Sequence, residues 1–311
     1  MSRLIIYAPY IGTDPVLVSI ETGLLTHVST SLINKGLNLD ISGQLSGSPI
    51  FVLGMYKKPI IVTRDTSYDY VYRLDKSKPG LLKATEVKRL SANTIKAITE
   101  ARGLLFICQD DGIYVLDIET GDYRAFNTSI LNASAIGSRT GADLIIGTRD
   151  GKVYYIDAND VVTDYTDKFG TAGKEIIVAM YSHTLDKWVI GTKDGVLKLA
   201  SPDFATVEDQ SSNWGVTGLG WVFDIPGLGI VVIHQNTVKV FNGSTWVSIT
   251  VGITPAVACA DYFTGRLILI DSSGKVEIAN VPRLRMFKNT IKAPFTVSFS
   301  GVGLAFTHFL T

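Results

Sequence analysis

One short phrase returns along this chain: an apolar run, a polar turn that usually ends in Asp-Gly, and a second apolar run. It reads LLFICQDDGIYVLD from Leu104 to Asp117, LIIGTRDGKVYYID from Leu144 to Asp157, WVIGTKDGVLKLA from Trp188 to Ala200 and LILIDSSGKVEIA from Leu267 to Ala279. The turn glycines Gly112, Gly151 and Gly195 are 39 and 44 residues apart. Gly274 follows after 79 more, which is two steps with a weaker copy, IVVIHQNTVKVF from Ile230 to Phe241, between them. Repetition at this period means one supersecondary unit copied along or around a structure.

The runs are made of Val, Ile, Leu, Tyr and Thr in stretches of four to seven, which is strand composition. Asp-Gly supplies the positive φ angles of a tight hairpin turn, so Asp111-Gly112, Asp150-Gly151 and Asp194-Gly195 are expected to join antiparallel strands. A second turn follows in several copies: IETG occurs identically at Ile20 to Gly23 and Ile118 to Gly121, with Asn242-Gly243 at the corresponding place. Working outward gives units at 49–90, 93–128, 130–168, 175–210, 214–252 and 255–289, each with room for four strands. Residues 1–28 hold about three strands and 293–311 one or two more, so the two ends together make a seventh unit. The predicted fold is all-β: a β-propeller of seven four-stranded blades, a single domain over 1–311, with the closing blade shared by the N- and C-terminal segments. Six or eight blades, an open stack and a pair of sandwiches are the alternatives. A solenoid of this period would usually show helices, and the helical candidate, Glu86 to Ile98, is weakened by Asn93, Thr94 and Ile95.

The phrases VIGTKDGVLKL and LIIGTRDGKVYYID resemble the Trp-Ile-Gly-Thr-x-x-Gly-Leu pattern of regulator-type propeller repeats, and VLDIETG is similar to the repeat of quinoprotein-like propellers. The resemblance covers three or four of the seven units. It implies a propeller without choosing a subfamily. Gly-His and Trp-Asp pairs do not recur as they do in the WD40 family, and there is no Asp-box of the sialidase type.

With 29 basic and 29 acidic side chains the formal net charge is zero, so no global field draws the chain to nucleic acid or an anionic membrane. The longest apolar stretches, such as Gly227 to Ile233, are far too short for a helical bilayer span. The N-terminus lacks a plausible signal-peptide apolar core and cleavage site, so classical secretion is not expected. Cys108 and Cys259 lie in separate apolar runs and are expected to be buried free thiols. Only 19 % of residues are charged, with Ser, Thr and Asn in many polar positions, which suits an assembly or extracellular-type surface.

Catalytic signals are sparse. The four histidines, His27, His183, His234 and His308, have no metal-ligand spacing, and no GxSxG or phosphate loop is present. Adjacent carboxylates such as Asp110 and Asp111 point to opposite faces of a strand. The turn aspartates lack the alternating acidic spacing of a calcium loop and are expected to form turns. No cofactor or metal is expected.

Candidate contacts lie elsewhere. Ser29 to Ser48 is a long polar connection able to act as a contact arm. Two basic clusters, Lys83 with Lys88 and Arg89, and Arg283 with Arg285, Lys288 and Lys292, flank the closing blade, where they could meet an acidic protein surface or phosphates. Asn213 and Trp214 occupy a connection in which an exposed Trp would suit sugar stacking, with core or loop packing of the indole as the alternative. The sequons at Asn127, Asn132 and Asn242 mean little without a secretion signal. The expected function is therefore a non-enzymatic interaction or scaffold protein, a structural subunit of a larger assembly such as a virion or particle surface, with other protein subunits as partners. A hydrolase or lactonase at the channel mouth and a carbohydrate-binding propeller are the competing readings.

Overall fold

The computed structural model describes residues 5–8, 16–19, 24–27, 44–54, 59–78, 81–214, 218–225, 228–261, 266–271 and 276–280. Among them, 26 antiparallel strands group into seven sheets, each a meander whose strands pair in sequence order. The first holds β1 (Ile5–Ala8), β2 (Val16–Ser19) and β3 (Leu24–His27). Next come β4 (Ser48–Gly54), β5 (Pro59–Arg64), β6 (Tyr68–Lys78) and β7 (Leu81–Ser91), then β8 (Ala97–Ala101), β9 (Leu104–Gln109), β10 (Gly112–Leu116) and β11 (Tyr123–Asn127). The next sheet has β12 (Ala133–Gly137), β13 (Leu144–Thr148), β14 (Val153–Ile156) and β15 (Val162–Asp164), followed by the helical turn α1 (Thr166–Phe169). Beyond it lie β16 (Ile176–Ser182), β17 (Lys187–Thr192), β18 (Leu197–Ala200) and β19 (Val207–Asp209), then α2 (Ser211–Trp214). The chain continues through β20 (Trp221–Ile225), β21 (Gly229–His234), β22 (Thr237–Phe241) and β23 (Trp246–Ile249) to β24 (Pro255–Asp261), β25 (Arg266–Asp271) and β26 (Val276–Asn280).

First strands of successive sheets lie beside one another: β4 by β8, β8 by β12, β12 by β16, β16 by β20, β20 by β24, and β24 by β1. This is the radial arrangement of a β-propeller, with the first strand of each blade innermost. Seven sheets, five four-stranded and two three-stranded, are consistent with the expected seven blades. The segment expected to complete the N-terminal blade, 293–311, lies outside the described residues.

The apolar runs are continuous because each blade is buried on both faces. Leu105, Ile107 and Leu116 turn toward the sheet before theirs and join Ile60, Val62 and Val71. The alternate residues Phe106, Cys108, Ile113 and Val115 turn the other way, onto Ile136, Leu144 and Ile146. Full burial of each such side chain is worth about 1.5–3 kcal/mol. Outer strands need no such composition: Arg124 and Ala125 of β11, and Glu208 and Asp209 of β19, are exposed.

The repeated Ile-Gly-Thr has a packing role. A Cβ on Gly147 would meet the side chain of Ile176 on the next blade, and one on Gly191 would lie 2.5 Å from Leu219 Cδ2, so these glycines let neighbouring blades close. The residues after them make the turns. Thr148 Oγ1 donates to Asp150 Oδ1 at 2.5 Å and accepts from Lys152 N at 2.8 Å, and Thr192 repeats the pattern with Asp194 and Val196.

Charged side chains reach across the blade boundaries. Arg73 Nη1 donates to the Ile118 carbonyl at 2.8 Å, Arg102 Nε to Ala142 O at 2.9 Å, and Lys168 Nζ to Phe204 O at 2.8 Å. Asp224, buried on β20, accepts from Ser182 Oγ at 2.7 Å, His183 N at 2.8 Å and Thr184 N at 3.3 Å.

The weak helical candidate from Glu86 to Ile98 is not a helix. Its first half is the last six residues of β7, hydrogen-bonded to β6, and a turn with Asn93 at φ 61° leads to β8. Pairing with β6, together with Val87 and Leu90 packed on the neighbouring blade, overrides the local pattern. Cys108 is a buried free thiol whose pKa burial pushes up, and Cys259 side-chain placement lies outside the described residues.

Candidate functional site

The hairpin of β6 and β7 carries the first candidate surface. Both strands have 11 residues, against seven or fewer in every other strand described. Tyr68, Tyr70 and Tyr72 alternate along β6 on one face: Tyr68 and Tyr70 meet edge to face at 5.9 Å and Tyr70 and Tyr72 stack at 6.1 Å. Arg89 lies over Tyr68 at 5.3 Å and Tyr70 at 5.0 Å while its Nε and Nη2 donate to the two carboxylate oxygens of Glu86, at 3.0 and 3.1 Å. The Glu86 pairing raises the Arg89 pKa further. Tyr70 donates its hydroxyl to Asp65 at 2.6 Å, which pushes the phenol up to about 12 and holds the Asp65 carboxyl below its usual range. Tyr68 is 42 % exposed and the Arg89 side chain 50 %, so a rigid aromatic and cationic surface faces outward.

Of the predicted basic cluster, the structure separates Lys88 from Arg89. Lys88 turns to the other face and lies 4.9 Å over Tyr123 of the next blade, which is itself stacked on Tyr114 at 5.3 Å. Lys83 is exposed farther along β7, opposite Asp75 in the register. Arg283, Arg285, Lys288 and Lys292 lie outside the described residues. So do residues 29–43 of the predicted arm; of the rest, Gln44 Oε1 accepts from Ala84 N at 2.7 Å and Ser46 N donates to Tyr72 Oη at 3.0 Å.

The turn aspartates are engaged in structure. Besides Thr192, Asp194 takes Lys174 at 3.2 Å, and these partners hold its carboxyl below the usual range. Asp110 takes Lys96 at 3.3 Å and Arg149 from the next blade.

At the centre of the ring is a cavity of about 210 Å³, lined chiefly by Phe51, Ala97, Ile136, Val178, Met180 and Trp221 from the first strands of five blades. Lys96 is the one charged residue among its described lining. Ser134 in the wall donates its hydroxyl to Ile176 O at 2.6 Å.

Of the two readings of Trp214 the structure has core packing, so Trp214 is corrected as a candidate contact. Trp214 ends α2 with no exposed surface, its indole N–H donating to Gly218 O at 3.0 Å and its ring 6.0 Å from that of Trp246. A short helical turn swings the indole into the core between two blades. Asn213 on the same turn is exposed and borders an open cleft of about 480 Å³ with Trp246, Gln210, Glu208, Ser244 and Thr245. Sequence reasoning missed Trp246 and Tyr68, although the period-2 Tyr-x-Tyr-x-Tyr of β6 was a legible signal for the latter.

No protein-family signature matches this chain, and no curated protein matches it in sequence. Solved structures do share its architecture. The Pan2 WD40 domain of Neurospora crassa superposes with a TM-score of 0.56 at 13 % identity, covering 76 % of each chain. The extracellular domain of a hybrid two-component system from B. thetaiotaomicron gives 0.60 at 13 % identity, covering 84 % of this chain and 35 % of that one. The computationally designed Ika8 protein gives 0.52 at 12 % identity, covering 76 % and 71 %. Among the described residues no helix is long and apolar enough to cross a membrane. At these identities the shared property is architecture, and by architecture this chain is a β-propeller.

Proposed function

We propose that this chain is a non-enzymatic interaction module, a propeller that serves as a structural subunit of a larger assembly by presenting outer strands to protein partners. The observation that carries it is the Tyr68 and Arg89 surface. Tyr and Arg are the residue types that dominate binding energy at interfaces, and here Glu86, Asp65 and Tyr70 hold them in place, which lowers the entropy lost on docking. A particle or virion surface is the most concrete form of such an assembly. Kinship with regulator-type or quinoprotein-like propellers belongs to the same proposal.

The competing reading, a hydrolase or lactonase, needs polar groups converging on the central cavity. The described lining supports the interaction reading instead, because Lys96 is ion-paired with Asp110 and Ser134 is hydrogen-bonded to backbone. The test is native mass and metal content of the protein isolated from its source, followed by the Arg89→Glu, Tyr68→Ala double variant. A stoichiometric complex that the double variant loses while keeping its thermal midpoint is expected. A metal-bearing monomer would refute the proposal in favour of an enzyme.

A further inference from the structure

The open cleft between β19, α2 and the β22–β23 turn has a composition that none of the assembly argument uses. Its apolar wall is Trp246, half-buried and fixed on three sides. Its ring stacks on Phe241 at 5.1 Å with a 29° interplanar angle and lies 6.0 Å from the tilted ring of Trp214, and its indole N–H donates to Gln210 Oε1 at 3.1 Å. Lys239 locks the layer beneath, its ammonium donating to Trp214 O at 2.6 Å and lying 5.7 Å from the Trp214 ring.

The polar wall is made of planar amides and hydroxyls. Gln210 Oε1 also accepts from Asn213 Nδ2 at 3.0 Å, which fixes the flip of both amides: the Gln210 amide N–H groups and the Asn213 amide oxygen remain for a ligand. Ser244 and Thr245 add hydroxyls at the rim, held by Asn242 Oδ1 at 3.0 and 3.3 Å. The carboxylate in the lining, Glu208, is paired with Lys187, so the cleft presents little net charge. Its volume, about 480 Å³, falls within the roughly 300–1,000 Å³ of small-molecule sites.

A fixed indole beside preoriented amides fits one chemistry well. A pyranose has an apolar C–H face that lies on an aromatic ring and equatorial hydroxyls that both donate and accept, which Asn and Gln amides satisfy in pairs. Because the indole and both amides are already ordered, little side-chain entropy is lost on binding. We propose that this cleft binds a neutral saccharide, with Trp246 as stacking platform and Asn213 and Gln210 as hydrogen-bonding partners. The site stands independently of the assembly surface on β6 and β7.

The experiment is saturation-transfer NMR on the full chain with methyl pyranosides of glucose, galactose and mannose, N-acetylglucosamine, N-acetylgalactosamine and their disaccharides, with N-acetylasparagine methylamide as a peptide probe. At least one saccharide is expected to bind, and Asn213→Ala, on an exposed residue, to weaken it by about tenfold at an unchanged thermal midpoint. Trp246→Phe keeps an aromatic ring but shrinks the platform and removes the bond to Gln210, and is expected to weaken binding as well. Failure of every saccharide, binding unchanged in both variants, or binding of the peptide probe alone would overturn the proposal.

Discussion

Gly147 and Gly191 occupy the same place in the repeated Ile-Gly-Thr phrase, yet their replacement by Ala should have unequal consequences. Neither has a left-handed backbone, so Ala adopts each conformation and gains about 0.4–1 kcal/mol by restricting the unfolded chain. The opposing contribution is steric. At Gly147 the new Cβ would lie 2.8 Å from Ile176 Cβ, with Ile176 Cγ2 closer still. Ile176 has no exposed surface and its Cβ is fixed to the backbone of β16, so an entire inner strand must shift. Overpacking of this kind costs about 1–3 kcal/mol, and the upper half of that range applies here, leaving a net loss of about 2 kcal/mol. At Gly191 the nearest atom is Leu219 Cδ2 at 2.5 Å, the end of a side chain that can rotate away, and Val178 Cβ stands at 3.2 Å. The two contributions then nearly cancel, and the net change stays within about 0.5 kcal/mol. Urea denaturation followed by tryptophan fluorescence measures both, with unchanged slopes as the sign that only stability moved. Equal losses, or a greater loss at Gly191, would refute the argument that blade spacing is set by the fixed side chain of the following inner strand.

Trp214→Ala should cost about 3–5 kcal/mol, measured as the shift in denaturation midpoint, because the indole is fully buried and hydrogen-bonded, whereas Asn213→Ala next to it should change stability by less than about 0.5 kcal/mol. Asp224→Ala leaves the Ser182, His183 and Thr184 donors at the blade boundary without their acceptor and should cost about 2–3 kcal/mol, with faster amide exchange at His183 and Thr184 as the local readout. Tyr70, Tyr123, Tyr155 and Tyr181 each titrate at about 12. Tyr70 is raised first by its bond to Asp65, and the others first by burial. Since the unfolded phenol titrates near 10, the unfolded chain loses these protons first as pH rises, so their stabilisation is complete below pH 10 and lost between about 10 and 12. Thermal midpoints across that window, with phenolate absorbance in the same samples, check it; four phenols titrating near 10 in the folded protein would contradict it.

Much of the architecture was legible because the repeat is written in hairpin chemistry. Asp-Gly at 111, 150 and 194 marks the turn between second and third strands, where Gly112, Gly151 and Gly195 all have positive φ. What escaped was decided by contacts distant in sequence. Glu86 to Ile98 reads as a weak helix until β6 is available to pair with it, and no local signal announces an 11-residue partner strand. Ser and Asn around Trp214 leave exposure and core packing both open, and the choice is made by α2, whose turn leaves Ser212 and Asn213 on the solvent side and Trp214 on the core side. Trp246 lies at the end of a short outer strand, and its importance comes from Gln210 and Asn213, more than thirty residues away, which only the packing of two blades brings to it.

The matched charges at the turns between second and third strands, and at the connections beside them, bear on how quickly anything can find this protein. Asp110 with Lys96 and Arg149, Asp194 with Lys174, and Glu175 with Lys193 alternate in sign over distances shorter than the roughly 8–10 Å Debye length of physiological solution. Their fields cancel before they reach a diffusing partner. Encounter on that side then proceeds without electrostatic steering, at about 10⁵–10⁶ M⁻¹s⁻¹ and with little dependence on salt, so selectivity there rests on how long a partner stays rather than on how often it arrives.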